Sequence, residues 1–155
     1  MTDQNTPVGP QLDQELRDVF LAQGKAASLL GKKYAEVELP EALVELTMVH
    51  ASQLNGCAAC LTTHVPAARK AGVPQEKLDV LPAWREVDVF DAQEKAALEL
   101  CEALTLLPRG RRHADAPVQA AEHFTDGQLV ALEWAIIMIN TYNRISIASG
   151  HGPTG

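Results

Sequence analysis

The stretch from Leu129 to Ile147 constrains the fold of this chain more than any other, because as a helix it is apolar nearly all round. Its centre, Ala135 to Ile139, is continuously apolar, and the stretch Pro40–Leu54 has apolar residues on two sides as well. A helix without a polar face has to be buried on every side. A chain of 155 residues has little interior to surround two such helices. We therefore expect part of this surface to meet another subunit, the alternative being a monomer core that covers both helices.

The rest of the chain also follows helical spacing, and no segment of useful length alternates between apolar and polar residues as a strand would. Asp91 and Glu94 have the spacing of a capping box, which predicts Asp91 as the N-cap of a helix that begins at Ala92. The predicted helical segments are one or two helices in Gln11–Leu30, punctuated by Gly24 and Gly31, then Pro40–Leu54, Cys57–Ala71, Ala92–Leu106, Pro117–His123 after a basic loop Pro108–Ala116, and a long helix from Thr125 or Asp126 to Ser149-Gly150. Between the third and fourth of these regions we expect only a short turn that Pro74 initiates and that extends to Leu81. The sequence thus predicts an all-α fold.

The composition of the chain limits the partners it is expected to bind and the cellular compartment in which it is expected to lie. The net charge of −7 disfavours nucleic acid and anionic membrane surfaces as partners. The longest apolar run, Trp134 to Ile139, is far shorter than the ~20 residues that span a bilayer. The first ten residues lack the apolar segment of a secretory signal, and three cysteines are too few for a secreted disulfide scaffold. We expect a cytoplasmic protein in which residues 1–10 form a flexible arm and residues 11–155 a single domain.

The segment that carries chemistry runs from Asn55 to His64. Cys57, Cys60 and His64 fall within an arc of about 60° on one helix face, at ~100° per residue. Asn55-Gly56 ends the preceding helix, so the cysteines lie in the first turn of the next one. Unpaired amide groups and the positive end of the helix dipole favour a thiolate there, and a thiolate is the reactive form of cysteine. His64 can then act as a base or a proton relay near neutral pH.

Helix geometry adds Glu45 to this group. Two helices joined by a tight turn at Asn55-Gly56 run antiparallel, so His64 lies level with about Thr47. Glu45 is two residues away, roughly 3 Å along the axis at 1.5 Å per residue. A glutamate beside a histidine beside a dithiol forms a proton-relay arrangement, although Glu45 can also be only a structural acid.

Other interpretations of these residues remain open. Cys57 and Cys60 could form half of a zinc site completed by His64 and His50, although the chain has no second Cys-x-x-Cys. Cys101 is expected to be a buried, unreactive thiol in the middle of a helix. The remaining polar candidates are expected at the surface, at helix caps or in a solvated loop: His50, His113, His123, His151, Arg109, Arg111 and Arg112.

The spacing of Glu45, Cys57, Cys60 and His64 resembles the core motif of the alkylhydroperoxidase D / carboxymuconolactone decarboxylase family. The run from Ser52 to Gly56 fits the segment before the first cysteine, and the resemblance extends over about Leu39 to Gly150. Further matching segments are the helix Asp91–Leu104 and the closing Ile139-Asn140-Thr141-Tyr142-Asn143-Arg144. The resemblance implies a compact bundle of about six to eight helices that assembles into trimers or hexamers.

The peroxidase members of that family reduce hydroperoxides through a dithiol/disulfide cycle. By position, the resemblance implies that Cys60 attacks the peroxide, that Cys57 is the resolving thiol and proton donor, and that His64 and Glu45 are the proton relay. The family motif has a second histidine between the cysteines, where this chain has Ala59. We expect no bound cofactor, because the chain has no Gly-x-Gly-x-x-Gly fingerprint, and an external dithiol such as a lipoyl group or a small thiol protein as reductant. The alternative is a lyase or isomerase that acts on a small organic acid.

Overall fold

A computed structural model of the protein describes residues 9–110 and 112–153. In these residues the chain forms eight α-helices and one 3₁₀ helix and has no strand, so the prediction of an all-α fold with about six to eight helices is confirmed. The elements are α1 (Leu12–Glu15), α2 (Arg17–Glu36), α3 (Glu41–Asn55), α4 (Ala58–Lys70), α5 (Gln75–Val80), the 3₁₀ helix (Leu81–Glu86), α6 (Ala92–Leu106), α7 (Asp115–Ala120) and α8 (Asp126–Ala148). Most of the arm predicted at residues 1–10 lies outside the described residues.

The N-terminal helices divide at a different place from the one the glycines indicate. Gly24 and Gly31 both lie inside α2, and the chain instead breaks at Leu16, where φ is −117° and ψ is 59°. A glycine in a helix interior costs only about 1 kcal/mol relative to alanine, so it weakens a helix without ending it. None of the side chains of α2 is fully buried, and its Phe20 ring packs edge-on against Tyr142 of α8.

The centre of the fold is α3, which packs against α4, α6 and α8. Its side chains are buried on two sides because its apolar residues face two different clusters. Leu43 and Val44 join the cluster that contains Leu132 and Ile136 of α8, whereas Leu46 and Val49 join the one that contains Leu81 and Trp84 of the 3₁₀ helix. The predicted burial of this helix on more than one side is therefore observed.

Helices α6 and α8 each begin after a residue whose side chain caps the helix. Asp91 and Glu94 form the predicted capping box, and Thr125 with Gln128 forms a second one at the start of α8. The predicted helix Pro117–His123 is wrong by a few residues, because α7 begins at Asp115 and ends at Ala120. Proline has no amide to donate and is accommodated inside the first turn of a helix, so Pro117 does not mark the start.

One stripe of α8 stays exposed in this single chain. Val130, Trp134 and Ile137 are each exposed by about half, at 53%, 54% and 49%. The opposite side of the same helix, including Leu132 and Ile136, is fully buried. In the part of the chain that the structure describes, none of the helices combines the length and the apolarity needed to cross a bilayer.

Candidate active site

The two cysteines lie at the junction of α3 and α4, and the local backbone explains why. α3 is followed by Gly56, whose φ of 68° is the left-handed conformation that glycine adopts without a steric clash. The amide of Cys57 then donates to the carbonyl of Ser52 at 3.0 Å, which closes the helix end. Cys57 is the N-cap of α4, where its Sγ accepts from the amide of Cys60 at 3.3 Å. Cys57 therefore precedes the first helical turn, and Cys60 lies within it.

Cys57 and Cys60 are joined by a disulfide, and their Cα atoms are 5.3 Å apart. This separation is ordinary for a disulfide, so the bond fits the backbone of the α3–α4 junction. The two sulfurs differ in access, since Cys57 is 1% exposed and Cys60 is 7% exposed. Cys60 also lines an open cleft of about 390 Å³, and it is the cysteine that a reagent in this cleft meets.

His64 lies one turn after Cys60 on α4 and is paired with Glu45 of α3. His64 Nδ1 is 2.8 Å from Glu45 Oε2, and both side chains are largely buried. The antiparallel register of the two helices predicted this neighbourhood. When Nδ1 donates its proton to the carboxylate, Nε2 carries the lone pair that can accept a proton from a nearby group.

His64 separates two concave surfaces. The cleft that contains Cys60 is also lined by Thr63, Tyr142, Ser146 and His151. A second, smaller pocket of about 210 Å³ lies on the Glu45 side of the imidazole, and neither cysteine lines it. The residues that line this second pocket are mostly apolar or aromatic: Ala27, Leu30, Tyr34, Glu45, Met48, His64, Met138, Ile139 and Tyr142.

Two tyrosines stay protonated beside the pair. Burial, together with the negative charge of Glu45, raises the pKa of Tyr34 to about 12. Burial also raises the pKa of Tyr142, which lines both concave surfaces. Both phenols therefore remain neutral near pH 7, so they can donate a hydrogen bond and add no charge to the site.

A buried polar network joins the end of α3 to α8 just before the cysteines. The side-chain amide of Asn55 donates to the Oδ1 atoms of Asn140 and Asn143, at 2.9 Å in each case. Asn143, which is fully buried, donates onward to Ser52 Oγ at 3.1 Å. Ser52 is also the residue whose carbonyl accepts from Cys57, so this network fixes the turn that presents the disulfide.

Two other predicted residues are buried away from the cleft. Cys101 is fully buried as expected, and burial raises the pKa of its thiol to about 12. His50 is also buried, so its predicted position at the surface or at a cap is wrong. His50 Nε2 lies 2.9 Å from Glu102 Oε1, because α6 brings a carboxylate to that side of α3. His50 is thus engaged with α6 and does not join the cysteines and His64.

Three residues of the site were not identified from the sequence. Tyr34 and Tyr142 come from α2 and α8, and their convergence on Glu45 and His64 depends on helix packing that no local pattern encodes. His151 was assigned to the surface or to a cap, yet it lines the Cys60 cleft and lies 3.3 Å from Asp13. Gly150, with a φ of 68°, is the sequence signal that could have indicated this reversal of the chain after α8.

The chain is similar to a known protein family and to a bacterial protein. The carboxymuconolactone decarboxylase family matches residues 23–103, a range that includes Glu45, both bonded cysteines and His64. The uncharacterized protein YdfG of Bacillus subtilis (strain 168) is 43% identical over 107 residues, which are 69% of this chain and 73% of YdfG.

The fold is also similar to that of a solved structure. This is a protein of unknown function from Agrobacterium tumefaciens, provisionally described as the antioxidant defence protein AhpD. It is 28% identical to this chain, with a TM-score of 0.79 over 96% of this chain and 99% of the other.

Proposed function

The chain belongs to the carboxymuconolactone decarboxylase family, and from that premise we propose that it is a dithiol-dependent hydroperoxide reductase. The observation that carries the proposal is the bonded pair Cys57–Cys60 at the start of α4, with Cys60 on a cleft that His64 shares. The provisional description of the Agrobacterium tumefaciens protein as an antioxidant defence protein is in keeping with it.

The proposed cycle begins with the reduced pair. His64, held by Glu45, takes the proton of the Cys60 thiol, and the thiolate attacks the terminal oxygen of the hydroperoxide. The O–O bond breaks, an S–O bond forms, and the leaving oxygen takes up a proton to give an alcohol or water. The resulting sulfenic acid of Cys60 condenses with the thiol of Cys57, which releases water and forms the disulfide. In sum, one hydroperoxide is reduced by two electrons and the two thiols are oxidised to one disulfide.

An external dithiol then completes the cycle. Its thiolate attacks the disulfide, a mixed disulfide forms, and its second thiol releases the reduced Cys57–Cys60 pair. We propose a lipoyl group or a small thiol protein as this reductant, in the cytoplasm, where such dithiols are kept reduced. The cleft at Cys60 is open, which suits a reductant delivered by another protein.

Oxidation of the reduced protein tests the proposal directly. The dithiol form is treated with one equivalent of hydroperoxide, and the peptide that contains both cysteines is weighed by mass spectrometry. We expect a loss of two hydrogens that a dithiol reverses. Cys60→Ser should lower turnover by at least about 10³-fold, because the variant has no attacking thiolate, while Cys101→Ser serves as the matched control. An unmodified peptide in the wild-type protein would contradict the proposal.

A second candidate function rests on the smaller pocket. It presents Glu45 and His64 to an apolar space that neither cysteine lines, which would suit proton transfer on a small organic acid. Such a lyase or isomerase would not use sulfur chemistry. Cys60→Ser distinguishes the two functions, since turnover of an organic acid would survive the substitution and reduction of a hydroperoxide would not.

We further propose that the chain acts as a homo-oligomer, a trimer or a hexamer. The exposed stripe of α8, which includes Trp134 and Ile137, is the surface that a second copy would cover. Light scattering should give three or six times the mass of the 16.7 kDa chain. Trp134→Glu should shift that mass towards the monomer, and Val118→Glu, at an exposed position on α7, is the control.

A further inference from the structure

The cleft at Cys60 contains a second histidine, His151, from the segment that follows α8. His151 lies outside residues 23–103, the range that matches the family, and nothing in the proposed cycle uses it so far. We infer that His151 is a catalytic acid of the proposed hydroperoxide reductase, which protonates the oxygen that leaves when Cys60 attacks. This inference rests on the proposed function and assigns a step within it.

The backbone after α8 explains why His151 lies in the cleft. Gly150 adopts a φ of 68°, and the amide of His151 donates to the carbonyl of Ser146 at 3.0 Å. This is the helix ending with a left-handed glycine that reverses the chain over the last turn. The side chain of His151 consequently lies beside Tyr142 and Ser146, which line the same cleft as Cys60.

A carboxylate of the N-terminal helix supports His151. Its Nε2 lies 3.3 Å from Asp13 Oδ1, at ion-pair distance but without the alignment of a hydrogen bond. That oxygen is buried and has no hydrogen bond to the rest of the described chain. The amide of Leu12 donates to Ser149 Oγ at 3.0 Å, so α1 is fastened to the end of α8 at this point. This hydrogen bond joins the residue before Asp13 to the end of α8, two residues before His151, and so holds the two side chains near each other.

The chemistry of the first step requires a proton donor in the cleft. When the O–O bond breaks, the leaving oxygen carries a negative charge that a proton has to neutralise. Cys57 is 1% exposed and does not line the cleft, so its thiol is poorly placed for this transfer. His64 takes the thiol proton in the proposed cycle. An imidazole is charged or neutral near neutral pH according to its surroundings, which suits His151 to donation in this step and to reprotonation from solvent.

The balance of the step is then complete. The Cys60 thiolate forms a bond to the terminal oxygen, the electron pair of the O–O bond moves to the second oxygen, and the His151 imidazolium gives that oxygen its proton. The products are the sulfenic acid of Cys60, an alcohol or water, and a neutral His151. The proton of the Cys57 thiol leaves later, in the water released when the disulfide forms.

The test compares two oxidants that differ in their need for an acid. tert-Butyl hydroperoxide releases a strongly basic alkoxide, whereas peracetic acid releases acetate, which needs no proton. We expect His151→Gln to slow disulfide formation in the reduced protein by about 10²-fold with the hydroperoxide. With peracetic acid the rate should change by less than threefold. Asp13→Asn should give a smaller loss with the same selectivity, and His113→Gln, at an exposed histidine outside the cleft, should change neither rate.

The rate of alkylation by iodoacetamide measures separately how readily the Cys60 thiolate forms, because this reaction needs the thiolate but no acid. This rate should be the same in His151→Gln and in wild type. Equal losses with both oxidants, or a loss of alkylation, would show that His151 acts on the thiol and would overturn the assignment. An unchanged rate with the hydroperoxide would also overturn it, while leaving the proposed function intact. Wild-type protein that neither oxidant converts to the disulfide would instead refute the proposed function, and the inference with it.

Discussion

Helix α3 contributes to two carboxylate–imidazole pairs that are built alike and surrounded differently. Glu45 pairs with His64 of α4 at 2.8 Å, and His50 pairs with Glu102 of α6 at 2.9 Å. Glu45 and His50 are five residues apart, which at ~100° per residue places them about 140° apart around the axis. One pair therefore lies towards the clefts near α8, and the other lies between α3 and α6.

The carboxylate of the second pair accepts hydrogen bonds from three side chains. Glu102 Oε1 accepts from His50 and from Trp84 Nε1 at 2.8 Å, while its Oε2 accepts from Arg85 at 2.5 Å. Burial by itself would raise the pKa of Glu102, but these three donors outweigh it and lower that pKa. His50 Nδ1 is buried and has no hydrogen-bond partner in the described residues. Neither Glu102 nor His50 lines the cleft at Cys60 or the smaller pocket at Glu45.

The difference shows what a proton relay requires beyond a short distance between an acid and a histidine. His64 faces a cleft that contains a cysteine, and it is 21% exposed, against 3% for the side chain of His50. Glu45 serves one imidazole in the hydrogen bonds described, whereas Glu102 serves three donors. We therefore assign proton transfer to the open pair and structural stabilisation to the closed one.

The largest expected effect follows from substituting the two histidines in the same way. His64→Gln should slow peroxide-dependent disulfide formation by about 10²- to 10³-fold, because glutamine cannot accept the thiol proton. His50→Gln should change that rate by less than about threefold, since His50 is buried and does not line the cleft at Cys60. Stopped-flow mixing of each reduced variant with hydroperoxide, followed by thiol counting, measures both rates.

The comparison fails if the two variants lose activity to the same extent. A matching loss would mean that the rate reports the packing of α3 and not proton transfer. Urea unfolding of both variants, which gives the free energy of unfolding, is the control that shows whether the measured protein is folded.

The open pair was predictable from sequence, and the closed one was not. Glu45 and His64 are 19 residues apart across one tight turn, so helix rise and register suffice to bring them together. His50 and Glu102 are 52 residues apart, and their contact depends on how α6 packs against α3. A short turn transmits register from one helix to the next, but the packing of distant helices is set by the shape of the whole core.

The contrast between local sequence signals and the packing of distant helices also explains which other parts of the structure were predicted correctly. The capping boxes at Asp91 and Thr125 are local hydrogen bonds, and the first of them was predicted to the residue. The break at Leu16 has no local signature, and Gly24 gave a misleading one, because a single glycine can be accommodated within a helix. The position of Tyr34 beside Glu45 likewise requires α2 to dock on the outside of the bundle.

A smaller effect is expected from Glu102→Gln, which should lower the free energy of unfolding by about 2 kcal/mol at pH 7. Glutamine has the same shape, but its amide group donates where a carboxylate oxygen accepts. One of the N–H groups of His50, Trp84 or Arg85 would then face another donor, and the first two of these residues are buried. Urea unfolding at pH 7 measures the change, and Glu36→Gln, in an exposed pair with Lys33, is the control.

At acidic pH the wild type and Glu102→Gln should no longer differ in their free energy of unfolding. The lowered pKa of Glu102 gives the direction of this pH dependence. Because folding lowers the pKa of Glu102 below its ordinary value of 4.5, the carboxylate stabilises the fold above pH 4.5. That stabilisation is lost as the pH falls through the lowered pKa, where Glu102 becomes protonated in the folded state too. Glutamine does not titrate, so the free energies of unfolding of the two proteins should converge as the pH falls from 4.5 through the lowered pKa of Glu102. A gap that stays constant over this range would mean that His50, Trp84 and Arg85 do not depend on the charge of Glu102, and the closed pair would then owe its stability to packing alone.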